Sequence, residues 1–138
     1  MNAALATRTF GVSSHEVVAI DDWVEQLATQ WGESERTVFR TRLCVAELAG
    51  NVLEHGAPSR HDHISVTLRH LGDGIGVEFI DCCAPFDPTG EIDAGQEVSI
   101  ETLRPGGRGL RLVRAYARDL SYCHDGRRNR VTLKISSA

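Results

Sequence analysis

Between Ile64 and Asp81 the chain alternates apolar and polar residues in two runs, with Gly72-Asp73-Gly74 between them. Ile64, Val66 and Leu68 share one side of the first run, and the second, Ile75 to Ile80, leads into Asp81. A period of two marks a strand with one buried face, and a short Gly/Asp turn between two such runs closes an antiparallel hairpin. The rest of the chain must therefore cover one face of a sheet.

Upstream, a short strand is expected over Arg8 to Val12, followed by a helix capped by Ser13 or Ser14 with Val17, Ile20, Val24 and Leu27 at helical spacing. Gly32 ends it. Glu33-Ser34 opens a second helix, in which Phe39, Leu43, Ala46, Gly50 and Leu53 form one seam, and Gly56-Ala57-Pro58 stops it. Residues 83 to 105 hold Pro85, Pro88, Gly90, Gly95 and Pro105 with little periodicity, long for a structureless connection, and read as a lid. Gly109 to Asp119 then predicts a helix with Leu110, Val113 and Ala117 on one side. Strands near Leu120 to His124 and Arg130 to Ile135 follow, joined by the turn sequence DGRRN. Strand, two helices, hairpin, lid, helix, hairpin implies an α+β two-layer sandwich, a mostly antiparallel sheet with three helices on one face.

At 138 residues, 41% of them apolar, the chain fits one domain spanning 1–138. A formal charge of −4 argues against a general nucleic-acid coat. The start of the chain lacks a basic region followed by an apolar run of signal-peptide length, and no stretch approaches the roughly 20 apolar residues of a membrane span. A cytoplasmic protein without membrane association is expected. Cys44, Cys82, Cys83 and Cys123 show no CxxC spacing and suit a reducing compartment.

Several residues have the chemistry of a phosphate-handling site. Glu47 and Asn51 lie four apart on the second helix and share a face, with His55 one turn further along the row. A carboxylate can polarise a hydroxyl, and an amide oxygen is a hard ligand suited to Mg²⁺. Alone, the same spacing also describes a solvated helix face. Asp81, ending an apolar strand, can accept a hydrogen bond from an exocyclic amine such as adenine N6, or simply begin a turn. Gly106, Gly107 and Gly109 precede a helix N-terminus where bare backbone can approach phosphates, with Arg108 available for a charged contact. Arg111, Arg114 and Arg118 fall on one helical stripe, read as surface. His61 and His63 have no recognised metal-ligand spacing with the cysteines.

In order, "ELAGNVLEHG", "DCCAPFDP", "GGRGLRLVRAYARDLSY" and "NRVTL" resemble the N box, the two glycine boxes and the terminal strand of the GHKL, or histidine-kinase-like, ATPases. Within that superfamily the chain looks most like the bacterial anti-sigma-factor serine/threonine-protein kinases, over nearly its whole length. The resemblance implies a Bergerat-type ATP-binding fold with ATP and Mg²⁺ as cofactors. It assigns Glu47 as general base, Asn51 as Mg²⁺ ligand and Asp81 as adenine reader. His55, Pro85, Phe86, Gly106, Gly107, Arg108, Gly109 and Leu110 join the nucleotide site, and Thr132 supports the adenine contact. Cys83 is also placed at the site, where the family carries Gly. A Cβ there would hinder close approach of the adenine or a left-handed backbone.

The function so implied is phosphorylation of a serine on an anti-anti-sigma (STAS-type) antagonist by a homodimer. The dimer also sequesters a sigma factor, so that two exclusive complexes form a partner switch in transcription regulation. The alternative from another class is a non-catalytic regulatory module of the same fold, with ATP structural or absent. A histidine-kinase module ranks last, because no segment with a phosphoacceptor His precedes the site.

Overall fold

The computed structural model describes residues 4–59, 61–85, 87 and 107–138, with side chains in the last segment described from 111 onward. The elements in chain order are β1 (Leu5–Gly11), α1 (Ser14–Gln30), α2 (Glu35–His55), β2 (His63–Leu71), β3 (Gly74–Asp81), α3 (Gly107–Tyr116), β4 (Ala117–His124) and β5 (Asn129–Ser136). The strands form one sheet in the order β1-β2-β3-β5-β4, with antiparallel pairing throughout among the described residues. The expected α+β two-layer architecture is present. No helix among the described residues is long and apolar enough to cross a membrane.

Register explains why one face is covered. Val66 lies opposite Phe79 and Phe79 opposite Val131, while Leu68 lies opposite Val77 and Val77 opposite Leu133. These residues, with Ile64, Ile75 and Ile135, are buried. The alternate row Thr7, Thr67, Glu78, Thr132, Ser121 crosses the other face, where Thr7 and Thr67 share a 2.7 Å hydroxyl contact. A two-residue period permits only this division into an apolar inner face and a polar outer one.

Ser13 and Ser34 cap the first two helices, accepting from the backbone N–H of Glu16 at 3.1 Å and of Thr37 at 3.2 Å. From α1, Ile20, Val24 and Ala28 enter the core. The buried face of α2 is not the expected seam. Val38, Thr41, Cys44, Val45, Leu48, Ala49 and Val52 are buried, whereas Phe39 is 56% exposed and Leu43, Ala46, Gly50 and Leu53 are half-buried. Both sets repeat every three or four residues, so periodicity alone does not separate them. The face that meets both the sheet and α1 is the buried one.

The last helix also differs from expectation. It starts at Gly107 and ends at Tyr116, and residues 117–119 belong to β4, where Ala117 lies opposite Ile135. The ladder is irregular between Arg118 and Ser121, and Asp119 has φ +53°. Arg118 therefore pairs with Lys134 in the sheet instead of continuing a helical stripe from Arg111 and Arg114. Val113 is fully buried, and the Arg40 guanidinium lies 4.7 Å from the Tyr116 ring centroid, which joins α3 to α2. Residues 88–106, most of the expected lid, lie outside the described residues.

At the hairpin, a Cβ on Gly74 would come 2.0 Å from the Ile135 carbonyl oxygen, while one on Gly72 meets nothing within 4 Å. Gly74→Ala is expected to destabilise the fold by about 2 kcal/mol or more, since backbone must move to relieve the clash. Gly72→Ala is expected to stay within about 0.5 kcal/mol of wild type. Urea denaturation of both variants checks this.

Candidate active site

The period of β3 carries Asp81 onto the inner face, where it is 5% exposed. Opposite it in the register stands Asn129 of β5, equally buried. The Asn129 side-chain amide donates to Asp81 Oδ1 at 2.9 Å, and the Cys83 backbone N–H donates to the same oxygen at 2.9 Å. Above this pair runs α2. Leu48, Asn51, Val52 and Gly56 of that helix end, with Phe79, Asp81, Ala84, Asn129 and Val131, line a cleft between the layers. Its enclosed part amounts to about 20 Å³, room for about one water, and the remainder opens outward.

Asn51 is the exceptional residue in this lining. It is 3% exposed, and neither Nδ2 nor Oδ1 has a hydrogen-bond partner among the described residues. A buried amide without partners costs about 1–3 kcal/mol per group, so the arrangement suits a ligand offering both an acceptor and a donor, or a cation for Oδ1. Glu47, one turn earlier, is half-buried at the edge of the same helix, and burial raises its carboxyl above the ordinary value of 4.5. Cys44 beneath it is fully buried. Desolvation first, then the Glu47 charge, pushes its thiol up to about 12.

Cys83 is not among the residues that line this cleft. Its side chain is buried beside Gly56, one of the lining residues, where an added Cβ would come 2.8 Å from the Cys83 Cβ. Burial, then the nearby Asp62 and Asp81 carboxylates, pushes the thiol up to about 12. Cys83 is not among the described non-glycine residues with positive φ, so the left-handed backbone that would penalise a Cβ is not adopted here. The Ala84 N–H donates to the Gly56 carbonyl at 2.9 Å, fastening the segment after β3 to the end of α2.

The sequence-predicted residues thus separate into groups. Asn51 and Asp81 line one cleft, with Glu47 a turn away on α2. His55 is exposed at the last residue of α2, 3.6 Å from Glu54, and Pro85 is exposed beyond the cleft. Thr132 lies on the outer face beside Glu78 and Ser121, so its side chain is separated from Asp81 by the sheet. The alternation of Val131, Leu133 and Ile135 turns Thr132 outward and Asn129 inward, and it was readable in "NRVTLKIS". The backbone of Gly107, Arg108, Gly109 and Leu110 forms the first turn of α3, with their side chains outside the described residues, as are Phe86 and Gly106. Among the described residues no group of three or more His, Cys, Asp or Glu side chains is placed to hold a metal.

Glu47 gives the site a pH signature. A carboxyl whose pKa is raised by folding binds its proton more tightly in the folded state. That contribution is full below the unfolded value and is lost as pH rises through the folded one. Glu47→Gln is therefore expected to melt above wild type at about pH 7, with the difference closing near pH 4. Thermal melts of both proteins across that range check it.

Comparison with known proteins agrees with this geometry. Residues 12–135 match the model of the histidine kinase-like ATPase domain. A serine/threonine-protein kinase of Bordetella bronchiseptica, BtrW, is 32% identical over 117 residues, 84% of this chain and 82% of that protein. The crystal structure of the RsbU and RsbW domains of Rv1364c from Mycobacterium tuberculosis shares the fold, with a TM-score of 0.65 at 15% identity. The superposition covers 96% of this chain and 32% of that one. The chain belongs to the histidine-kinase-like ATPase domain family, and to the family of the serine/threonine-protein kinase BtrW within it.

Proposed function

We propose that this chain is an ATP-dependent protein-serine/threonine kinase whose substrate is a serine on an anti-anti-sigma, STAS-type antagonist, and that it also holds a sigma factor. The observation that carries the reading is the buried Asn51 amide, which has no partner among the described residues and lies in the same cleft as Asp81. The donor set suits ATP with Mg²⁺: Asn51 Oδ1 would take the cation, Asp81 the exocyclic amine of adenine, and the start of α3 the phosphates. When bound, the pair supplies the phosphoryl group and neutralises its charge.

The residues of the chain supply positioning and a proton acceptor. Glu47 is half-buried and its proton affinity is raised, so it is suited to accept the serine hydroxyl proton as the oxygen bonds to phosphorus and the bond to the departing diphosphate breaks. Asn51, on the flank of the buried face of α2, lies one turn away on the same helix. Placement of such groups on one helix is the kind of positioning on which phosphoryl transfer depends. A homodimer in the bacterial cytoplasm, switching between antagonist and sigma factor, completes the proposal.

A second reading, a regulatory binding module of the same fold without catalysis, draws on the narrowness of the enclosed cleft. Incubation with labelled ATP, Mg²⁺ and a single-domain antagonist separates the two. The kinase reading expects label on a partner serine. Glu47→Ala is expected to lower transfer by about 10²–10⁴-fold while keeping the ATP-dependent rise in melting temperature. Asn51→Ala is expected to reduce both. Absence of transfer and of any melting shift at excess ATP contradicts the kinase, and a shift without transfer supports the module.

A further inference from the structure

We propose that the groove between α1 and α2 is where the phosphoacceptor protein docks, filling it with an apolar side chain flanked by Lys or Arg. The inference rests on the kinase reading above and adds the surface that selects the partner.

Among the described residues three large apolar side chains are exposed, and two of them line this groove, Val18 of α1 at 61% and Phe39 of α2 at 56%. Val17, Leu43 and Ala46, each half-buried, continue the apolar lining of an open space of about 370 Å³. Contiguous apolar surface rimmed by charge marks an interaction site, whereas single scattered apolar residues do not. The groove also leads to the chemistry. Leu43, Glu47 and Asn51 follow one another at four-residue steps along α2. At a rise of about 1.5 Å per residue, Leu43 and Phe39 lie about 6 and 12 Å along the helix from Glu47. A protein partner covers about 800 Å² of surface, a patch wider than that distance, so one whose serine reaches Glu47 also meets the groove.

Charge defines the occupant further. Helix α1 carries Glu16, Asp21, Asp22 and Glu25 and no Lys or Arg. Arg42 answers two of them, holding Asp21 through contacts of 3.0 and 2.8 Å and Glu25 at 3.2 Å. Asp22, one turn after Val18, is exposed and has no hydrogen bond or ion pair among the described residues, although its charge is felt at Arg42. Negative charge therefore borders the apolar anchor on the α1 side, and complementarity calls for a cation beside the apolar side chain that enters. A second copy meeting this face about a two-fold axis would set the acidic row of α1 against its own equivalent, which like charges oppose.

The test uses the single-domain antagonist of the labelling assay and compares wild type with Phe39→Ser, Val18→Ser and the double reversal Asp22→Lys with Glu25→Lys. Calorimetric affinity for the antagonist, transfer kinetics and sedimentation velocity are read on each. The two serine variants are expected to weaken antagonist binding and raise its KM about tenfold, with kcat and the ATP-dependent melting shift unchanged. The charge reversal is expected to do the same at low salt, with the gap closing in about 1 M salt, where surface charges are screened. Unchanged affinity and KM in the folded variants overturn the inference, as does a fall in kcat or in the melting shift alongside them. Loss of self-association in either serine variant assigns the groove to a second copy and also overturns it. A wild type that binds the antagonist without transferring label contradicts the kinase reading alone, and the affinities still decide whether the groove holds the antagonist. A wild type that does not bind the antagonist overturns the inference.

Discussion

The two-residue period of β3 is the constraint on which the rest depends. Ile75, Val77 and Phe79 must lie beneath the helices, and the same alternation delivers Asp81 to the covered face two residues later. A carboxylate there cannot remain without hydrogen bonds. The register answers with Asn129 directly across the ladder, and the chain after β3 turns so that the Cys83 N–H also points back at Asp81. One strand thus supplies both the central hydrophobic row and the polar end of the cleft.

The covering helix follows the same logic from the other layer. Its apolar face packs down on the sheet, and Asn51 sits at the flank of that face instead of on the solvated side. Polar groups in the cleft fall into two states. Asp81 Oδ1 and the Asn129 amide are satisfied by the protein, while the Asn51 amide has no partner among the described residues. A satisfied set that orients an unsatisfied one is how a rigid fold prepares a binding site before anything binds. Cys83 packs where Gly56 leaves space at the end of α2.

Much of this was legible in the residue pattern, and the misses share a physical cause. The hairpin from Ile64 to Asp81 was readable because alternation and turn chemistry coincide there. Asn51 and Asp81 were readable as candidates because their motifs sit at fixed places relative to helix and strand. The seam of α2 was misread because two apolar stripes run along one helix, and only the neighbouring layers decide which is buried. The end of α3 was misread because residues 117–119 pass from helix to strand without a loop or a Gly/Pro signal. The register puts the Thr132 side chain on the outer face, while counting alternate residues back from Ile135 leads to Asn129 on the inner one. The pairing of Asn129 with Asp81 required the strand order, which places β5 beside β3 and is not written in local sequence.

The central claim is that the Asn51 amide is the open coordination and hydrogen-bonding position of a nucleotide site. Its most direct test is a two-dimensional nitrogen-15 spectrum of the side-chain amides during titration with Mg²⁺ and ATP. The account predicts that the Asn51 resonances move and saturate with the nucleotide, while those of Asn129, already held inside the protein, move less. Unchanged Asn51 resonances at excess nucleotide would contradict it.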